Sequence, residues 1–215
     1  MKAARLSIGM VGGFLLVTCL VASSNAGTVY VHPTEGEYHT IADGISAAVV
    51  GDTVLVAPGT YDSFTVEKAI NIVSESGPDN TTIMGSTSIH VVSGASNASL
   101  SGFTVSINTA DGILFDESVS GVSIMNNIVS GCTGSGIHVN AGSDLITNIY
   151  IVNNTISHNG SDGIRYSRNS HGDINSTYLI NNIISYNNQY GISLQNINTY
   201  GSTWEPPVVQ NNNMW

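Results

Sequence analysis

Residues 126–139 read Asn-Asn-Ile-Val-Ser-Gly-Cys-Thr-Gly-Ser-Gly-Ile-His-Val, and both ends of this stretch return at regular intervals. Asn126-Asn127-Ile128-Val129-Ser130 comes back as Asn153-Asn154-Thr155-Ile156-Ser157, as Asn181-Asn182-Ile183-Ile184-Ser185 and as Asn211-Asn212-Asn213-Met214, at steps of 27, 28 and 30 residues. The phrase Gly136-Ile137-His138-Val139 belongs to a second series: Gly112-Ile113-Leu114-Phe115, Gly163-Ile164-Arg165-Tyr166 and Gly191-Ile192-Ser193-Leu194. Two interleaved phrases keeping time over four copies indicate a stacked or radial repeat architecture.

The local pattern chooses among such architectures. Each copy holds three short runs of alternating polarity, such as Val122-Ser123-Ile124, Ile128-Val129-Ser130 and Ile137-His138-Val139. Period-2 alternation describes strands with one buried face. Asn and Gly tolerate left-handed backbone angles and supply the bends between them. No segment of this half has helical spacing, which excludes helical solenoids, and propeller blades require roughly 40–50 residues and four strands each. Three strands in about 24–28 residues fit an all-β parallel β-helix of about seven coils, each paired to the next at roughly 4.8 Å. Ile113, Ile137, Ile164 and Ile192 are expected to form one interior column, with Phe115, Val139, Tyr166 and Leu194 beside it.

Composition agrees with stacking. Charged residues make up 9% of the chain, against about a quarter in an average domain. A charge repeated up a ladder faces its own copy, whereas Asn, Ser and Thr hydrogen-bond along it. With 5 Lys+Arg against 15 Asp+Glu, the chain is not a basic nucleic-acid binder, and its aliphatic content is too high for a disordered acidic chain.

The chain divides into three parts. Residues 1–26 carry Lys2 and Arg5, then an apolar run and Ser24-Asn25-Ala26, the pattern of a cleaved secretory signal. With that segment removed no membrane span is expected. Lys68, Arg165 and Arg168 are then the only fixed cations, giving a net charge of about −12. Cys132 is left without an internal disulfide partner. Residues 27–51 contain the strand Thr28–Val31 and a capping helix with Thr40 as N-cap. The face Ile41, Ile45, Ala48 and Val49 is expected to cover the first coil, and Gly51 to end the helix. Residues 52–215 form the β-helix. The last phrase stops at Trp215 without a closing cap, so a continuation of the chain or a partner is expected over the final coil.

The run Gly51-Asp52-Thr53-Val54-Leu55-Val56-Ala57-Pro58-Gly59-Thr60-Tyr61 resembles the opening of proteins of the pectin-lyase-like superfamily, and the later repeats resemble its NosD-type periplasmic members. The resemblance spans residues 28–215 and implies a right-handed parallel β-helix, in keeping with the right-handed bias of parallel crossovers. It does not assign a reaction, because the superfamily contains lyases, hydrolases, esterases, epimerases and surface proteins without catalysis.

Alternation exposes one ladder of chemical interest. With Ile137 and Val139 inside, His138 points outward, and so do Leu114, Arg165 and Ser193. Asp111, Ser135, Asp162 and Tyr190 precede the glycines; Asp116, Asn140, Ser167 and Gln195 follow the strands. Arg165, His138 and Asp162 are the catalytic candidates, since a cation, an imidazole and a carboxylate on adjacent coils can exchange protons with a sugar acid. The ordinary alternative is a polar ladder without function. The sequence demands no cofactor. Ca²⁺ on the acidic turns around Asp111, Asp116 and Glu117 is the candidate, against a solvated acidic loop. His32, His39, His90, His138, His158 and His171 are too scattered for a copper or zinc set. Tyr186, Tyr190, Tyr200 and Trp204 offer rings for stacking on sugars or for packing turns. The expected function is an exported module that binds a polysaccharide or cell-surface glycan in the periplasm or outside the cell. The alternative is a polysaccharide lyase or glycoside hydrolase acting around Arg165, and a NosD-like accessory metal-handling role is the third. The acidity of the chain favours neutral glycans over polyuronates.

Overall fold

The computed structural model describes residues 26–168, 172–195 and 205–215. The expected signal segment, 1–26, lies outside the described residues except for Ala26, as do His171, Tyr200 and Trp204. The chain winds through three parallel sheets of nine, seven and six strands. Six complete three-strand turns result. The strand Thr28–Val31 precedes them, and Val208–Gln210 and Asn213–Met214 begin a seventh. Every named pairing is parallel, as expected when each coil hydrogen-bonds only to its neighbours.

The interior column forms in register. Ile89, Ile113, Ile137, Ile164 and Ile192 pair consecutively along the six-stranded sheet. The first four are fully buried, as are Phe115, Val139 and Tyr166. Leu194 departs from the expectation and is exposed, because among the described residues Ile192–Gln195 is the last strand of that sheet and pairs on one side only. Close stacking dictates the glycines before Ile113, Ile137 and Ile164. A Cβ on Gly136 would lie 2.8 Å from the carbonyl oxygen of Gly163, and one on Gly163 would lie 2.6 Å from that of Gly191.

Each Asn-Asn phrase does two separate jobs. Asn126, Asn153, Asn181 and Asn211 take φ between 54° and 56°, the left-handed bend that turns the chain from one sheet to the next. The second residue of each pair turns inward. Asn154 Oδ1 accepts from the backbone N–H of Asn127 at 3.0 Å and from its Nδ2 at 3.2 Å, and Asn182 and Asn212 repeat this one coil on. A continuous amide ladder therefore runs inside the corner, satisfying backbone groups that the bend takes out of the sheets. Asn159 and Asn187 start a second ladder, and Cys132 occupies the preceding seat. The Cys132 thiol is buried and unpaired, and burial pushes its pKa up to about 11, which makes it a packing residue.

The N-terminal helix spans Ile41–Ala47, with Thr40 Oγ1 accepting from the Asp43 N–H at 3.1 Å. Ile41, Ile45 and Ala48 are buried over the first coil. Two details differ from the expectation. Val49 is exposed, and the chain leaves the helix at Ala48, which takes an extended conformation, before Gly51 is reached. The reason is Lys68, whose Nζ donates to the carbonyls of Ile45, Ser46 and Ala48 at 2.8, 2.9 and 3.0 Å. A cation gathered onto the last carbonyls ends the helix and complements its dipole. Lys68→Met is expected to lower stability by about 1–2 kcal/mol and the melting temperature by roughly 2–8 °C. A melting temperature within one degree of wild type would show that the three bonds contribute nothing net.

Candidate functional site

The outward ladder of the six-stranded sheet runs Thr65, His90, Leu114, His138, Arg165, Ser193, and a second ladder at the strand ends carries Asn140, Ser167 and Gln195. Side chains here lie about 4.8 Å from their counterparts on the next coil. A long side chain therefore reaches the coil above or below more readily than its own.

His138 sits at the centre of this face. Its Nδ1 lies 2.8 Å from Asp111 Oδ2 on the preceding coil and its Nε2 lies 2.7 Å from Ser167 Oγ on the following one. The Ser167 hydroxyl also lies 3.1 Å from Asn140 Oδ1. Burial pushes the Asp111 carboxyl up, but hydrogen bonds from His138 and the Ser135 N–H, with the charges of His138 and Arg165, outweigh it and hold the group below its ordinary range. Asp111 is thus an ionised acceptor at neutral pH, so Nδ1 of His138 carries the proton facing it. In the neutral ring Nε2 is then left as an acceptor toward Ser167.

The sequence candidates separate into two groups. His138 and Arg165 occupy adjacent rungs, as expected. Arg165 donates to Gln195 Oε1 from Nη2, and its Nε is buried without a hydrogen-bond partner. Asp162 is fully buried and bonds to neither, accepting instead from Ser193 Oγ at 2.6 Å and the Tyr190 N–H at 3.1 Å. Ser193, expected on the exposed ladder, is drawn into burial by this bond. Asp111 and Asp162 follow one rule: a carboxylate before the glycine accepts from the backbone of the next coil and from the ladder residue above it. On Asp111 that residue is His138; on Asp162 it is a serine. Lys68 and Arg168 are committed elsewhere, Lys68 to the helix end and Arg168 to the Gly172 carbonyl and Asp173. Arg165 is therefore the fixed cation of this face.

The residues considered for Ca²⁺ have different partners. Asp111 faces His138, Asp116 Oδ2 lies 3.1 Å from His90 Nδ1, and Glu117 accepts from the Ser93 N–H at 2.8 Å. Among the described residues no three His, Cys, Asp or Glu side chains converge on a point where a metal ion would sit. Of the aromatic candidates, Tyr186 stacks on His158 at 5.2 Å and Tyr190 is exposed; Tyr150 and Tyr178, not singled out beforehand, stack at 4.9 Å on the nine-stranded sheet.

Beside the His138 pair, the face opens into a shallow groove of about 430 Å³. Ser86, Thr87, Thr109 and Thr133 line it together with His90, Asp111 and the single large apolar side chain Leu114; the Thr109 and Thr133 hydroxyls donate to the Ser86 and Asn108 carbonyls, and that of Thr87 pairs with Ser63. Ser167 completes the contact to His138; the sequence reading placed it on the ladder after the strand without assigning it a role. The 27- to 29-residue offsets between Asp111, His138 and Ser167 are one coil each, and that spacing was the available signal.

Comparison with known proteins places this geometry in context. The family model described as "Periplasmic copper-binding protein (NosD)" matches residues 22–212. No curated protein matches the chain. Among solved structures, the chain is similar to pectate lyase Pel9A, with a TM-score of 0.51 and 14% identity over 89% of this chain and 62% of that one. It also aligns with the PL6 family alginate lyase AlyGC, with a TM-score of 0.46 and 12% identity over 95% of this chain and 42% of the lyase. A third alignment is to ORF18 of Geobacillus virus E2, at a TM-score of 0.48 and 11% identity over 86% and 62% of the two chains. The chain thus spans less than two thirds of the pectate lyase it resembles, and the likeness is one of fold. Among the described residues no helix is long and apolar enough to cross a membrane.

Proposed function

The chain belongs to the NosD family of periplasmic β-helix proteins, and from that premise we propose that it is an exported module whose six-stranded face binds neutral glycans. The observation that carries this reading is the hydroxyl-lined groove around Leu114 and Asp111. Polar hydroxyl and imidazole groups suit sugar hydroxyls, and one apolar side chain suits a sugar's C–H face. The net acidity of the chain opposes polyuronates, and Arg165 supplies one positive charge against that field.

The family description favours copper as a second reading. The donors support it poorly: Cys132 is a buried thiol, His138 uses both ring nitrogens within the protein, and no third ligand accompanies any described histidine.

A glycan array followed by calorimetry tests the proposal. Wild type is expected to bind neutral oligosaccharides. Thr87→Trp, an exposed substitution on the groove wall, is expected to reduce affinity at least about tenfold with unchanged melting. Binding that ignores Thr87→Trp would place the glycan elsewhere. Absence of glycan binding together with stoichiometric copper retention after desalting would favour the metal reading.

A further inference from the structure

We propose that Asp111, His138 and Ser167 form a hydrolytic relay in which Ser167 attacks carboxylic esters. Three consecutive coils each contribute one member, through hydrogen bonds of 2.8 and 2.7 Å in the order carboxylate, imidazole, hydroxyl. That order and those contacts are what activation of a serine requires, because the base must touch the nucleophile and be oriented by a third group. The members are partly shielded without being sealed: the His138 and Asp111 side chains are 14% and 20% exposed. The rung spacing holds them rigidly, since all three are attached at or next to paired strands.

The step balances within the chain and water. Ser167 Oγ bonds to the ester carbonyl carbon while its proton passes to His138 Nε2. The tetrahedral centre collapses, the C–O bond to the alcohol breaks, and His138 returns the proton to the departing oxygen. Water then attacks the acyl-serine with His138 again as base, releasing the carboxylic acid and restoring Ser167. Arg165 lies two residues before Ser167 on the same outward face, and its guanidinium is bonded to Gln195, the rung neighbour of Ser167. It supplies positive charge near the developing oxyanion. Asn140 opposes the relay by offering the serine hydroxyl a second acceptor at 3.1 Å, so attack proceeds from the conformer turned to His138.

The natural substrate, an acyl ester carried on a neutral glycan, rests on the proposed glycan reading; the nucleophile does not. The test therefore uses a small fluorophosphonate and 4-nitrophenyl acetate on the full chain. Wild type is expected to be labelled at Ser167, located by peptide mass mapping, and Ser167→Ala to lose both label and ester turnover while melting normally. His138→Gln is expected to slow labelling by about 10²–10⁴-fold. Asp111 acts through His138 as a positioning residue. Asp111→Asn retains an acceptor for the Ser135 N–H and is expected to slow labelling of Ser167 with unchanged melting, while Asp111→Glu, which keeps the carboxylate, restores part of the rate, a rescue that a purely structural role would not give. Failure to label Ser167, or equal labelling in His138→Gln, overturns the relay. Labelling without glycan binding overturns the glycan reading alone.

Discussion

Ile164→Asp is expected to yield no soluble protein with a cooperative melting transition. Ile164 is fully buried and paired between Ile137 and Ile192, so the new carboxylate has aliphatic neighbours above and below and water on neither side. An unpaired buried carboxylate costs several kcal/mol even after the protein relaxes or the group takes up a proton. A domain of ordinary stability has about 5–15 kcal/mol in total. The repeat architecture sharpens the effect, because each coil is stabilised chiefly by its neighbours and a defect in the middle divides the stack. Ile164→Val, which keeps the shape and removes one methylene, is the control and is expected to cost only about 0.5–1.5 kcal/mol. An Ile164→Asp variant that melts like wild type would mean that the isoleucine column is not the core.

The isoleucine column was legible because its signal is a period, and a period survives without knowledge of any single contact. The same reasoning placed His138 and Arg165 on one face. It left the partner of Asp162 open, because alternation says which face a side chain leaves from and not which coil it reaches. Asp162 bends to the coil above and takes Ser193 with it, whereas Asp111 makes the same move and meets His138. Ser167 was left without a role for a related reason: a serine among many serines acquires meaning only through a contact made 29 residues away. Lys68 is the third case. Its reach back to the helix carbonyls crosses 20 to 23 residues, and no local pattern around Lys68 announces it.

Asn154→Ala and Asn153→Gly, adjacent in sequence and chemically alike in the wild type, are expected to differ widely. Alanine at 154 deletes the acceptor of the Asn127 N–H and Nδ2 and the donor to the Ile124 carbonyl, all inside the corner. Orphaned buried groups cost about 1–3 kcal/mol each, so the expected loss is about 3–5 kcal/mol, or roughly 6–20 °C in melting temperature for a domain of this size. Loss of one rung also weakens the rungs on either side, because amide chains polarise one another. Asn153 is exposed and contributes its φ of 56°. Glycine adopts that angle without strain, so Asn153→Gly is expected to stay within about 0.5 kcal/mol of wild type. Asn153→Val, by contrast, meets the left-handed penalty of about 1–2 kcal/mol. Thermal melts of the three variants separate the two tasks of the repeated phrase. Equal losses for Asn153→Gly and Asn154→Ala would refute the division of the pair into a bend and a ladder, and with it the explanation of why asparagine is doubled at this corner in four successive coils.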